Sequence, residues 1–155
     1  MPTRNALIFL LLLRLSLALF WLDHGWGKAS DGWLQENKLE VRLERSHESA
    51  EGWVKSYLES FALPASNLLR YLVTGGELAV GLAFLAGFWM KPASWGAVIM
   101  VLNFKFADGR LGLLGSLGDA YLYPLLLAAL TVAYLNLRSD WTVKRLLPAL
   151  AKYDL

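Results

Sequence analysis

The sequence predicts an all-α integral membrane protein: a four-helix bundle whose long polar first loop contains an amphipathic helix. Three observations carry the prediction. Apolar residues make up 56% of the 155-residue chain and are gathered in blocks, the pattern of spans rather than of a soluble core. The mean hydropathy of +0.41 lies on the same side. The seven Trp and six Tyr fall mostly near block ends, as expected of aromatic belts at the two interfaces. One membrane domain then covers residues 1–155, with spans at about 6–26, 67–90, 93–107 and 119–137, a loop at 28–66 and a C-terminal surface helix at 140–151.

Residues 6–22 (ALIFLLLLRLSLALFWL) open the first span. A cleaved signal peptide is the rival, with Arg4 as its basic end. Arg14 breaks the apolar run, however, and no small-residue cleavage site follows, so a retained helix is expected. Arg14, Ala18, Trp21, Gly25 and Lys28 share one face at helical spacing.

Residues 28–64 are too polar to span. Within them 38–44 (KLEVRLE) alternates with period two, the mark of a short extended piece. Ser49 is placed to cap a following helix with Trp53, Tyr57, Leu58 and Phe61 on one side, lying in the interface or over the bundle mouth.

The second span carries Gly75, Ala79, Ala83 and Gly87 in a row at four-residue spacing, which invites close approach of another backbone. Beside that row stands Glu77. A carboxylate in hydrocarbon is costly and is kept for pairing, packing or binding. Lys91 and Pro92 make the connection to an antiparallel third span holding Asn103. A glycine-rich turn at 109–118 follows, then the fourth span with Pro124 in its first turn. Four spans place both termini on one side, expected to be the cytoplasm, with the first loop outside.

At 1.5 Å per residue Arg14 lies ~12 Å from the terminal side, Asn103 ~15 Å and Glu77 ~18 Å. Mutual pairing of Arg14 and Glu77, completed by Asn103, is therefore the expected buried polar group. It serves either a site or the register of the bundle. A second group gathers at the opposite mouth: Asp23, His24, Lys28, Asp108, Asp119 and Tyr121 or Tyr123. There His24 is suited to relay a proton or to hydrogen-bond a ring carbonyl.

Several chemistries are excluded. With no Cys there is no disulfide, thiol catalysis, Cys-ligated zinc or dithiol redox pair. His24 and His47, the only two His, are not both on spans, so no intrinsic haem or metal site is expected. The net charge of +2, with no basic run interleaved with aromatics, excludes nucleic acid.

The pattern Arg14, Phe20, then His24-Gly25-x-x-Lys28 resembles the first-span signature of the DoxX family. Gly76-Glu77-Leu78-x-x-Gly81 with Gly87 resembles its second-span signature. Phe61-x-Leu63-Pro64, Asn103-Phe104, and Arg138 with Lys144-Arg145-Leu146-Leu147 continue the likeness over nearly the whole chain. The long first loop is similar to that of the DoxD type, the small subunit of thiosulfate:quinone oxidoreductase. The resemblance implies a bacterial plasma-membrane subunit of a quinone-linked oxidoreductase complex, working with a protein partner and a bound quinone. Arg14, Glu77 and Asn103 would be its buried polar group, with His24 and Lys28 contacting the quinone or its proton. Two alternatives stay open. One is a small proton-coupled transporter that uses Glu77 and forms a homodimer through the Gly75 row. The other is a non-catalytic assembly or anchoring subunit.

Overall fold

The computed structural model describes residues 4–108 and 122–135, and all regular structure among them is helical. Helix α1 covers Arg4–Ser30, α2 Lys38–Ser49, α3 Gly52–Tyr57, α4 Ser66–Ala86, α5 Met90–Ala107 and α6 Leu122–Leu135. Helix α3 runs directly into a π-helical turn, Leu58–Ala62. The turn at 109–118, Asp119, Tyr121, the Tyr123 side chain and the surface helix expected at 140–151 lie outside the described residues.

Two stretches are long and apolar enough to cross a membrane: Ile8–Ser30 in α1 and Ser66–Ala86 in α4. Only 28% of each apolar window is buried inside the protein. Phe9, Leu12 and Leu19 on α1, and Leu68, Leu72 and Leu82 on α4, point outward. A soluble protein would bury such helices; these present an apolar surface that suits lipid.

Helix α1 packs on α4, α4 on α5, and α5 and α1 both on α6. Trp21, Phe84, Ala97 and Ala129, one from each helix, are fully buried at the shared centre. The tightest of these contacts joins α1 to α4 in antiparallel sense. A Cβ at Gly81 would stand 2.9 Å from the Leu22 backbone nitrogen, and one at Gly25 3.0 Å from that of Leu78. Small residues thus do bring two backbones together, but not those of the expected row: Gly75 has no atom within 4 Å of such a Cβ. Gly87 instead ends α4 in the left-handed conformation (φ 68°), where glycine carries no Cβ penalty. The α4–α5 connection is therefore residues 87–89 and α5 begins at Met90, three positions before the expected start at 93, with Lys91 and Pro92 inside its first turn, where proline is tolerated.

The first loop also departs from expectation. Residues 38–44 are helical, not extended. Their alternation contains an i, i+4 pair, Leu39 and Leu43, that packs inward while Val41 is exposed. Ser49 closes α2 rather than capping α3, its hydroxyl donating to the Ser46 carbonyl. The inward stripe of α3 and the π turn is Val54, Leu58 and Ala62, while Trp53 and Phe61 face out. These two segments cap the α1–α4–α5 end of the protein, and an Arg42–Asp108 ion pair at 2.6 Å ties α2 to the end of α5.

Candidate functional site

The cap covers a cavity of about 120 Å3. Its lining includes Phe20, His24 and Lys28 from α1, Trp33 beyond it, Arg42 and Leu43 from α2, Tyr57 from α3, Glu77 from α4, Asn103, Phe104 and Asp108 from the end of α5, and Leu125 from α6. A cavity of about 150 Å3 admits one benzene, so this one matches a single six-membered ring.

Lys28 and Glu77 meet at its floor. The Lys28 ammonium donates to both carboxylate oxygens of Glu77, at 2.6 and 2.7 Å. Glu77 is 1% exposed and Lys28 21% exposed. The ammonium also lies 5.9 Å from the Trp33 ring centre and 5.8 Å from that of Phe104, within cation–π range. The pair is possible because Gly25 and Gly81 let α1 and α4 approach, placing the end of α1 beside Glu77.

On the same wall of α1, the His24 ring stacks on Phe20 with centres 4.1 Å apart. Its Nδ1–H donates to the Phe20 carbonyl at 3.0 Å, since a carbonyl only accepts. That bond fixes the ring and leaves Nε2 for another partner. Also on the lining, Asn103 Nδ2 from α5 donates to the Tyr57 hydroxyl at 2.8 Å. Burial holds the Tyr57 pKa above its ordinary value, the Asn103 bond acting in the opposite sense. The hydroxyl is therefore protonated throughout the physiological range. Tyr57 sits at the entrance to the π turn, a distortion frequent at functional sites.

Of the expected site residues, the fold brings His24, Lys28, Glu77 and Asn103 into one cavity and leaves Arg14 elsewhere. Glu77 takes Lys28 as its partner, not Arg14. Arg14 is 4% exposed, and its Nε and Nη1 have no hydrogen-bond partner among the described residues. Counting depth from a common plane misplaced them because α1 and α4 are staggered. With Leu22 beside Gly81, the position eight residues before Leu22 is level with the one eight residues after Gly81, so Arg14 is level with the α4–α5 connection at Trp89. Glu77, level with residue 26, is then 12 residues along α1 from Arg14, or ~18 Å. The two groups of polar residues expected at different depths are largely one. Tyr57, Trp33 and Arg42 were not among the expected site residues. The pairing of an aromatic residue with Asn103 across 46 positions leaves no local signal.

These features define a helical membrane protein whose first apolar helices hold a buried ion pair under a helical cap. The DoxX family model matches residues 9–107, from α1 through α5, and the chain belongs to that family. The match includes every residue of the ion pair, the aromatic walls and the Tyr57–Asn103 bond. No curated protein and no solved structure matches the chain.

Proposed function

We propose that this DoxX-family protein is the membrane subunit of a quinone-linked redox assembly in a bacterial plasma membrane, and that the cavity receives the quinone ring. The reading includes α5 and α6 as further spans, completing a four-helix bundle. One observation carries it: a ring-sized, aromatic-walled cavity with a buried Lys28–Glu77 pair at its floor. An apolar pocket with a few converging polar groups is the usual form of a small-molecule site. Reduction of a quinone to its quinol takes two electrons and two protons. The chain has no Cys and no His pair suited to haem, so the electrons come from a cofactor of the partner protein. His24, exposed and one turn from Lys28, is the natural entry for the protons.

The bidentate Lys28–Glu77 contact counts against the proton-coupled transporter, because both carboxylate oxygens are already engaged by a fixed partner on α1. The test uses full-length protein in nanodiscs titrated with a short-chain quinone, followed by quenching of tryptophan fluorescence. Saturable quenching that disappears in a cavity-filling Ala62→Trp variant is expected. Absence of saturable binding to the unmodified chain overturns the redox reading. In that case partner activity that survives Glu77→Gln points to an anchoring role.

A further inference from the structure

We propose that the Trp33 indole N–H is the donor by which the cavity tells a ring bearing an acceptor atom from a hydrocarbon chain. The proposal rests on the quinone reading and names the feature of the ligand that is recognised. Among the described residues, Arg14, Trp21, Trp33 and Arg70 carry side-chain donors that are shut off from solvent and have no hydrogen-bond partner. Of these four, only Trp33 lines the cavity. The connection that carries it is held in place. Gly32 sets the turn after α1 in a left-handed conformation (φ 75°), which glycine adopts without a Cβ clash. Arg70 and Tyr71 of α4 donate to the carbonyls of Glu36 and Leu34, at 3.4 and 3.5 Å. The face of the Trp33 ring receives the Lys28 ammonium, 5.9 Å from its centre.

An indole nitrogen only donates, and a buried donor left without an acceptor is costly. The lining does hold acceptors, the remaining lone pairs of Glu77 and the free Nε2 of His24, but none among the described residues reaches the Trp33 nitrogen. Its acceptor therefore comes from the occupant of the cavity, which is a water when no ligand is bound. In a bilayer the abundant competitor for an aromatic-walled cavity is a lipid chain. A hydrocarbon that displaces the water strands the N–H, whereas a ring oxygen takes the water's place. A quinone carbonyl and a quinol hydroxyl both offer that oxygen, so the donor selects the class of ligand and not its redox state. A site built around a hydrogen bond rejects the analogue that cannot make it.

The experiment is calorimetry on the full chain in nanodiscs with a tailless benzoquinone, and separately with p-xylene, a ring of similar size that has no acceptor. Trp33→Phe keeps an aromatic face for Lys28 and removes the N–H. It is expected to weaken quinone binding about tenfold, the size of one lost hydrogen bond, and to tighten p-xylene binding because no donor is stranded any longer. A purely structural role for Trp33 moves both ligands in the same direction. A second readout needs no variant. In proton–nitrogen correlation spectra of the unmodified protein in micelles, one indole N–H is expected to move downfield with the quinone and not with p-xylene. Quinone affinity indifferent to Trp33→Phe, or changes of the same sign for both ligands, overturns this inference and leaves the quinone reading standing. If the variant does not fold, quinone binding with no indole N–H shifted has the same consequence. Failure of the unmodified chain to bind the quinone overturns both.

Discussion

Helix α1 carries two basic residues into its packed face, and among the described residues only one of them meets a carboxylate. Lys28 reaches Glu77 with both oxygens engaged. Arg14, more deeply buried at 4% exposure, finds no such partner for its Nε or Nη1 among the described residues. The difference follows from where α4 lies along α1. Glu77 sits beside the C-terminal end of α1, whereas Arg14 is level with the α4–α5 connection. One cation is held by a counter-ion, and the other is buried without one among the described residues. Burial alone therefore does not tell whether a charge is paired.

That contrast predicts the largest effect for Lys28→Met, which leaves the Glu77 carboxylate buried without its cation. A loss of about 3–5 kcal/mol is expected, measured by denaturant unfolding in micelles. The Lys28→Met/Glu77→Leu double variant is expected to recover most of it. If the double variant is as unstable as the single, the pair is not what sets the cost.

Next comes the contact that makes the pair possible. Gly81→Leu pushes side-chain atoms into the Leu22 backbone, which stands 2.9 Å from a Cβ at that position. A loss of about 1–3 kcal/mol is expected, together with weaker quinone binding because Lys28 moves off Glu77. Gly75→Leu meets open space and is the matched control.

Arg14→Met sharpens the comparison from the other side. With no ion pair to break among the described residues, replacement by an apolar chain of similar length is expected to be neutral or stabilising. A loss as large as that of Lys28→Met would show that Arg14 holds an anion of its own.

Smaller still is Arg42→Gln, which opens the bond to Asp108 between α2 and α5. Arg42 is 56% exposed, and such pairs contribute about 1 kcal/mol or less. The variant is expected to change stability little and to speed ligand exchange in stopped-flow quenching.

The least effect concerns Tyr57. Its folded pKa is raised by burial, so the associated stability is present below the ordinary tyrosine value and is lost as pH rises through the folded one. An alkaline loss beginning above pH 10, absent in Tyr57→Phe, is the expected outcome of a pH series of melts.

Much of the fold was legible because a bilayer imposes length and polarity on each segment separately. Residues 6–22 and 67–90 declared themselves as spans, and Glu77 declared itself as an anomaly, without knowledge of any neighbour. The cap was less legible. Leu39, Val41 and Leu43 satisfy both a strand's alternation and a helix's i, i+4 pair, and only packing decides between them. The site was half legible. His24, Lys28, Glu77 and Asn103 stand out as polar residues at span positions, whereas Tyr57 and Trp33 look like ordinary interfacial aromatics.

What the sequence determined by itself was the inventory: two spans with apolar outer faces, the family, and the polar residues that have to be accommodated. Pairing was decided only in three dimensions. Gly25 and Gly81 set the stagger of α1 against α4, and a stagger of two or three helical turns changes which charges meet. No periodicity within one helix encodes its offset from another. That offset made Lys28 the partner of Glu77, and it is read from the contact between Leu22 and Gly81.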